Sequence, residues 1–474
     1  MGRWQVLPYQ APILPIHIAL LRTGKVLVVA GSGNNPSNTS DQNLLNACAV
    51  WDVTAGSFTR PAIPLNASGH PLDLFCAGHS FRSEGHLMVA GGTIRYDPFQ
   101  GLPTALFFDP GTGNWLTKPS MHHGRWYPTV LTLGSGRIFA LSGLDENGNL
   151  NNQPEIYSVT FANGWNAFPS TSRIPMYAQL FLLASGRIFF SGGCMGSNNG
   201  VGPRVLTIPG TFSQAITETP VSGLAAANAT DQATSVLLPP AQAQRIMILG
   251  GGDPSGIAVN RVAIADFTAA TPTYATAPSL RFARMHVNAV LLPDRTVFVC
   301  NGSRMGENTS TSMLPAEIYN PATNTWTTAE TPSVPRVYHS VALLMPDGRV
   351  ITAGGNPSRG TNELRLEIYS PSYMSRPRPV IQSAPTTSKY GATITIQTPQ
   401  AATIKWVSLI RASANTHSCD TEQRLVDVPI TARTSTTLTA SVTGRSNIAP
   451  PGFYMLFITD NNGVPSVATW IQLS

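Results

Sequence analysis

Short apolar runs that end in glycine recur along the chain: GKVLVVAGSG from Gly24, GHLMVAGG from Gly85, GRIFALSG from Gly136 and GRIFFSGG from Gly186. RIMILGGG from Arg245, RTVFVCNG from Arg295 and GRVITAGG from Gly348 continue the series. Each run is too short for a helix, and its unbroken apolar character reads as a strand buried on both faces. Several are followed by a second strand that carries an aromatic and a turn, as in ALFFDPGTGNW from Ala105, AEIYNPATNTW from Ala316 and LEIYSPSY from Leu366.

Seven such copies, about 50 to 60 residues apart, make one supersecondary unit repeated. The pattern is that of kelch repeats. It predicts an all-β fold: a seven-bladed kelch-type β-propeller, four strands to a blade, over residues 1–374. After Tyr373 the text turns to the proline-rich SRPRPVIQSAP and then to short alternating strands, ATITIQTP, IKWVSLI and FYMLFIT. Residues 375–474 are therefore expected to form a C-terminal immunoglobulin-like β-sandwich.

Composition agrees with a turn-rich β protein: charged residues are 11% of the 474, against 41 Gly and 39 Pro. The net charge of +6 comes from dispersed Arg without basic runs, so no nucleic-acid partner is expected. No apolar stretch reaches the roughly 18 residues of a membrane helix. The apolar segment after Met1 is broken by Pro8, Pro12 and Pro15, and no signal peptide is legible. A monomer is expected. Five cysteines, Cys48, Cys76, Cys194, Cys300 and Cys419, form an odd set without a CxxC, which argues against a zinc ribbon and against a full disulfide framework.

If the repeats are one object, residues at the same offset from the glycine pair occupy equivalent places around the axis. Fifteen residues before the first position of each pair stand Cys76, Tyr127, Tyr177, His286 and His339. Most are metal-competent or redox-competent, and all would meet at one end of one channel. Recurrence at one phase favours a functional role for Cys76, Tyr127 and His339, while Tyr177 and His286 read equally well as channel-lining polar residues. His17 is out of phase and is expected to be structural. His79 is expected to pack below Cys76, and His70, His86, His122 and His123 to hold surface or packing places.

Four separated motifs then resemble the copper radical oxidases, the family of galactose oxidase and glyoxal oxidase: FCAGHS around Cys76, GRWYPTVLTL around Tyr127, RVYHSVALLMPDGRV around Tyr338 and His339, and THSCDTEQR around His417. The resemblance implies a thioether between Cys76 and Tyr127, a protein-derived cofactor that holds a radical. It implies one mononuclear copper ion held by Tyr127, Tyr338, His339 and His417, the last donated by the C-terminal domain. The expected catalytic residues are Cys76, Tyr127 and Tyr338. Imidazole and phenolate suit Cu(II), and a two-electron oxidation needs a second one-electron store beside the metal.

The resemblance implies oxidation of small aldehydes or primary alcohols, with dioxygen reduced to hydrogen peroxide. Its layout is closer to glyoxal oxidase, since the first blade begins almost at once. The loop SGLDENGNL lacks the aromatic that covers the thioether in galactose oxidase, so galactose is not the expected substrate. Trp126 is the candidate for that cover. Arg95, Arg125 and Arg304 are candidates for substrate contact. A secreted location follows from the same resemblance, and low Lys content and triplets such as Asn66-Ala67-Ser68 permit it. The alternative is a kelch binding module for a protein or glycan partner, its copper site vestigial. A hydrolase or lyase has little support, because no carboxylate occupies the shared offset.

Overall fold

The computed structural model describes residues 2–474. The fold is all-β, with many small sheets and only one short α-helix, Asp41–Leu45, among the described residues. Seven of these sheets are built on a four-stranded antiparallel meander. One, for example, runs Gly78–Phe81, Leu87–Ala90, Ala105–Asp109, Asn114–Lys118.

The apolar runs are the second strands of these meanders, and Leu87–Ala90, Ile138–Leu141 and Val297–Cys300 are buried at every position. They need to be apolar on both sides because neighbouring sheets pack face to face. Met88, Ala90, Ala105 and Phe107 of one sheet share a cluster with Val130, Ile138, Ala140 and Tyr157 of the next. The outermost strands, such as Asn114–Lys118, have no fully buried position.

One of the seven sheets is completed from far away in sequence. Strand Arg3–Gln10 pairs antiparallel with Arg365–Ser370, with Trp4 opposite Tyr369. The Trp4 ring lies 5.0 Å from Tyr369, and its indole N–H donates to the Glu330 carbonyl at 2.7 Å. This pairing joins the two ends of the repeat array.

A repeated ion pair anchors the segments that precede the first strands. Arg125, Arg284 and Arg336 are fully buried and paired with Glu155, Glu317 and Glu367 at 2.8, 2.9 and 3.6 Å. Each Arg also donates through Nη1 to the carbonyl at the first position of its glycine pair: Ser142, Asn301 and Gly354. The segments that carry Tyr127, His286 and His339 are tied in this way to the sheet behind them. Arg125 thus serves the fold, while Arg95 and Arg304 are exposed.

Beyond residue 375 the strands Thr387–Ser388, Thr469–Leu473, Gly452–Asp460, Ile404–Arg411 and Leu425–Asp427 form one sheet. Thr393–Gln397, Thr437–Ser441 and Ile430–Arg433 form a second. A hairpin from this region, Ala414–Thr416 with Cys419–Asp420, adds to the edge of His17–Leu20 in the first meander, pairing Ile18 with Asn415. Contacts from the segment that follows lock it in place. Thr421 donates to the Val130 carbonyl at 3.0 Å, Gln423 to the Ala289 carbonyl at 2.8 Å, and Glu422 pairs with Arg411 and accepts from Ser80.

Candidate metal centre

The shared offset corresponds to a shared backbone conformation. Cys76, Tyr127, Tyr177, His286 and His339 all lie in the left-handed region, at φ 62°, 64°, 42°, 58° and 61°. Non-glycine residues rarely adopt it, at a cost of about 1–3 kcal/mol each, and the cost is borne where surroundings over-determine the geometry. For three of them the surroundings are one another: Tyr127 N–H donates to the Cys76 carbonyl and Tyr177 N–H to the Tyr127 carbonyl, both at 2.9 Å.

His417 arrives by a different route. It and Ser418 are the two turn residues of the inserted hairpin, at φ 47° and 61°, between the paired Thr416 and Cys419. Two left-handed residues match the twist of a two-residue hairpin, a position that usually takes Asn-Gly. The turn projects the imidazole among the residues at the shared offset.

The five expected site residues converge. The Tyr127 hydroxyl is hydrogen-bonded to the Tyr338 hydroxyl and lies 3.1 Å from His417 Nε2. Cys76 Sγ is 4.0 Å from the same nitrogen. Ligand atoms of Cys76, His339 and His417 all lie within 4.8 Å of one another. All five side chains are buried.

Hydrogen bonds fix the tautomer of both histidines. His339 Nδ1 stands 3.2 Å from Asn356 Oδ1, while the Asn356 amide nitrogen donates to the carbonyls of Ser358 and Thr361. The Asn356 oxygen therefore faces His339 as an acceptor, the Nδ1 carries the proton, and Nε2 keeps a free lone pair. That Nε2 has no partner in the protein. At His417, Thr416 Oγ1 donates to the Ile16 carbonyl at 2.9 Å and so accepts from Nδ1 at 2.6 Å, which again leaves Nε2 with the lone pair.

Burial keeps this cluster uncharged without a cation. Burial, and then the neighbouring Cys76 and Tyr338 charges, push the Tyr127 phenol well up, and burial likewise raises Cys76 and Tyr338. It lowers His339 to about 3 and His417 well below its ordinary value. Two imidazole lone pairs, one of them orphaned, and two phenols in hydrogen-bond contact make a donor set that fits one copper ion.

Beside the cluster Trp126 stacks on Tyr127 at 3.7 Å with 12° between planes, and Phe99 stacks on Trp126 at 4.0 Å. The loop without an aromatic contributes differently: Leu144 exchanges two backbone hydrogen bonds with Trp126, both 2.8 Å, and so seats the indole. Tyr177 covers the other side of Tyr127 at 4.6 Å, its hydroxyl donating to the Ala77 carbonyl at 2.8 Å. His17 is closer to the site than its phase suggests. Its Nε2 accepts from Cys76 N–H at 3.1 Å and its Nδ1 donates to His79 Nε2 at 2.9 Å. His70, His122 and His123 are half exposed and pair with Asp41, Glu155 and Glu146. All five cysteines are free and buried.

Sequence reasoning did not assign Asn356 or Thr416, and it gave His17 a structural place without its Cys76 partner. Asn356 directly follows the Gly354-Gly355 pair, and Thr416 sits inside the THSCDTEQR motif, so each had a positional signal without an assigned partner.

Comparison with known proteins places this geometry among relatives. Residues 17–373 match the family model for the glyoxal oxidase N-terminus, and residues 378–473 match the galactose oxidase-like early set domain. A galactose oxidase of Gibberella zeae is 27% identical, across 100% of this chain and 71% of its own length. An aldehyde oxidase, GLOX, of Vitis pseudoreticulata is 26% identical over 100% of this chain and 97% of its own. A solved fungal alcohol oxidase of the AA5 family, in complex with copper, superposes with a TM-score of 0.82 at 25% identity, over 100% of this chain and 99% of that one.

Proposed function

The chain belongs to the copper radical oxidase family, and on that footing we propose that it oxidises small aldehydes to carboxylic acids, or primary alcohols to aldehydes, and returns dioxygen as hydrogen peroxide. The observation that carries this reading is the meeting of Tyr127, Tyr338 and His417 hydroxyl and imidazole atoms beside the bare His339 Nε2. A propeller used only for docking a partner gives no reason to bury that donor set.

Tyr127, Tyr338, His339 and His417 would hold the ion, and Cys76 would be joined to Tyr127 by a thioether. Copper when bound supplies a Lewis-acid position for the substrate oxygen and accepts one of the two electrons. Tyr338 accepts the substrate's hydroxyl proton at its own oxygen. Tyr127, once thioether-linked and oxidised to a radical, would be the second one-electron store and would take a hydrogen atom from the adjacent carbon. Trp126, Phe99 and Tyr177 exclude water from both faces of that ring.

The same proposal reads the seven meanders as seven propeller blades over residues 1–374. It reads the two C-terminal sheets as an immunoglobulin-like sandwich over 375–474, whose hairpin delivers His417. Face-to-face packing of neighbouring sheets and closure through Arg3–Gln10 support the first. The inserted hairpin supports the second.

The copper-loaded protein should generate peroxide from methylglyoxal in a coupled peroxidase assay. Cys76→Ser should keep copper and lose most of that turnover. Turnover by the variant at the parent rate would sink the thioether role.

A further inference from the structure

Cys76 is held at both ends of its residue. Its carbonyl accepts from Tyr127 N–H at 2.9 Å, and its own N–H donates to His17 Nε2 at 3.1 Å. The second contact departs from the repeat. Tyr127, Tyr177 and His286 each donate their N–H to the carbonyl of a left-handed residue of the preceding meander, Cys76, Tyr127 and Gln232. Those three acceptors each stand two residues ahead of a first strand, at Gly78, Thr129 and Thr234. Ahead of Cys76 comes the first meander, and there an imidazole takes the carbonyl's place. The carbonyl of Ile16, next to His17, is engaged by Thr416 Oγ1 at 2.9 Å.

Geometry fixes the hydrogens along this line. A backbone N–H can only donate, so His17 Nε2 keeps its lone pair and Nδ1 carries the proton. Nδ1 lies 2.9 Å from His79 Nε2, which therefore accepts, and the two rings meet edge to face at 5.1 Å. Both side chains are buried, which keeps bulk water from competing for either bond. Neither imidazole belongs to the copper set.

We infer that His17 is a positioning residue for the thioether between Cys76 and Tyr127, with His79 fixing its tautomer, a role that rests on the oxidase reading. Cys76 Sγ stands 4.0 Å from His417 Nε2, which is 3.1 Å from the Tyr127 hydroxyl, and Cys76 and Tyr127 share one buried cluster. The linkage takes the thiol hydrogen from Cys76 and a ring hydrogen beside the hydroxyl from Tyr127. A carbon–sulfur bond replaces the S–H and C–H bonds, and the two electrons and two protons released reduce one dioxygen to hydrogen peroxide. The left-handed backbone of Cys76, at φ 62°, sets the direction of its Cα–Cβ bond, and the bond to His17 holds that conformation in place for the reaction. Left without an acceptor, the buried N–H disfavours the conformation by about tenfold.

The test follows the loss of two hydrogens by intact mass after copper and oxygen are added to protein prepared without copper. The parent should cross-link, and His17→Leu should do so about tenfold more slowly at parent copper content, whereas a general loss of structure would lower copper content too. His17→Gln, whose amide oxygen reaches the place of Nε2, should return to within about threefold of the parent rate. His79→Leu, which strips the acceptor from His17 Nδ1–H, should slow the reaction as well. Parent-like cross-linking in His17→Leu, or a His17→Gln as slow as His17→Leu, would overturn the positioning role and leave the thioether standing; separate peptides in the parent would contradict the thioether itself. If the leucine variants do not fold, nitrogen NMR of the histidine-labelled parent decides: a bare Nε2 and a protonated Nδ1 at His17 support the role, and the opposite tautomer overturns it.

Discussion

At His339 the imidazole offers two nitrogens, and the position of Asn356 decides which of them faces the centre. Asn356 Oδ1 also accepts from Asn34 Nδ2 at 2.6 Å, so the amide that orients His339 is itself held from both sides. Partners of this kind, which orient a ligand without touching the metal, typically account for a factor of 10–100 in metal affinity. Asn356→Ala should weaken copper binding by about that factor in a competitive chelator titration, with far-UV circular dichroism unchanged. Unchanged affinity would mean that packing alone orients the ring. Cys76, Tyr127 and His339 were legible in the sequence because repeats can be aligned by counting from the glycine pair. Tyr338 and His417 were legible only through resemblance, since the first stands one place off the phase and the second lies outside the repeats. Asn356 and His17 could not be given their partners, because a hydrogen bond between residues far apart in sequence leaves no periodic trace.

At the scale of single elements, the segment that ends in Tyr127 is held by a buried guanidinium. Arg125 donates to Ser142 and pairs with Glu155, which also accepts from His122 N–H at 2.9 Å. Removing one partner of a buried pair leaves an uncompensated charge, which typically costs about 3–5 kcal/mol. Glu155→Gln should lower unfolding stability by about that amount in urea, an equilibrium measured without copper. A parent-like midpoint would show that the pair is solvated or dispensable. The apolar runs announced the second strands of the meanders without ambiguity. The Arg–Glu anchors were hidden because Arg125 looks, in sequence, like any basic residue next to a site, and only its zero exposure separates it from Arg95 and Arg304.

For the whole molecule, two long-range joins make the centre possible. Strand Arg3–Gln10 completes the sheet of Ser340–Leu344, at whose start His339 stands, and the hairpin Ala414–Asp420 lays His417 against the first meander. The repeats did not announce that Arg3–Gln10 pairs with Arg365–Ser370, since an edge strand pairs through backbone groups common to all residues. The C-terminal strands were expected as a separate sandwich. That one of their hairpins leaves to pair with His17–Leu20 is a tertiary event set by Thr416, Glu422 and Gln423 together. These joins bring Cys76, Tyr127, Tyr338, His339 and His417 to one point, and the central claim is that copper and oxygen then make a covalent bond there. Intact mass of copper-treated protein, with a tryptic map of the Cys76 and Tyr127 peptides, tests it most directly. The account predicts a loss of two hydrogens and recovery of the two peptides joined; an unchanged mass with the peptides separate would contradict it.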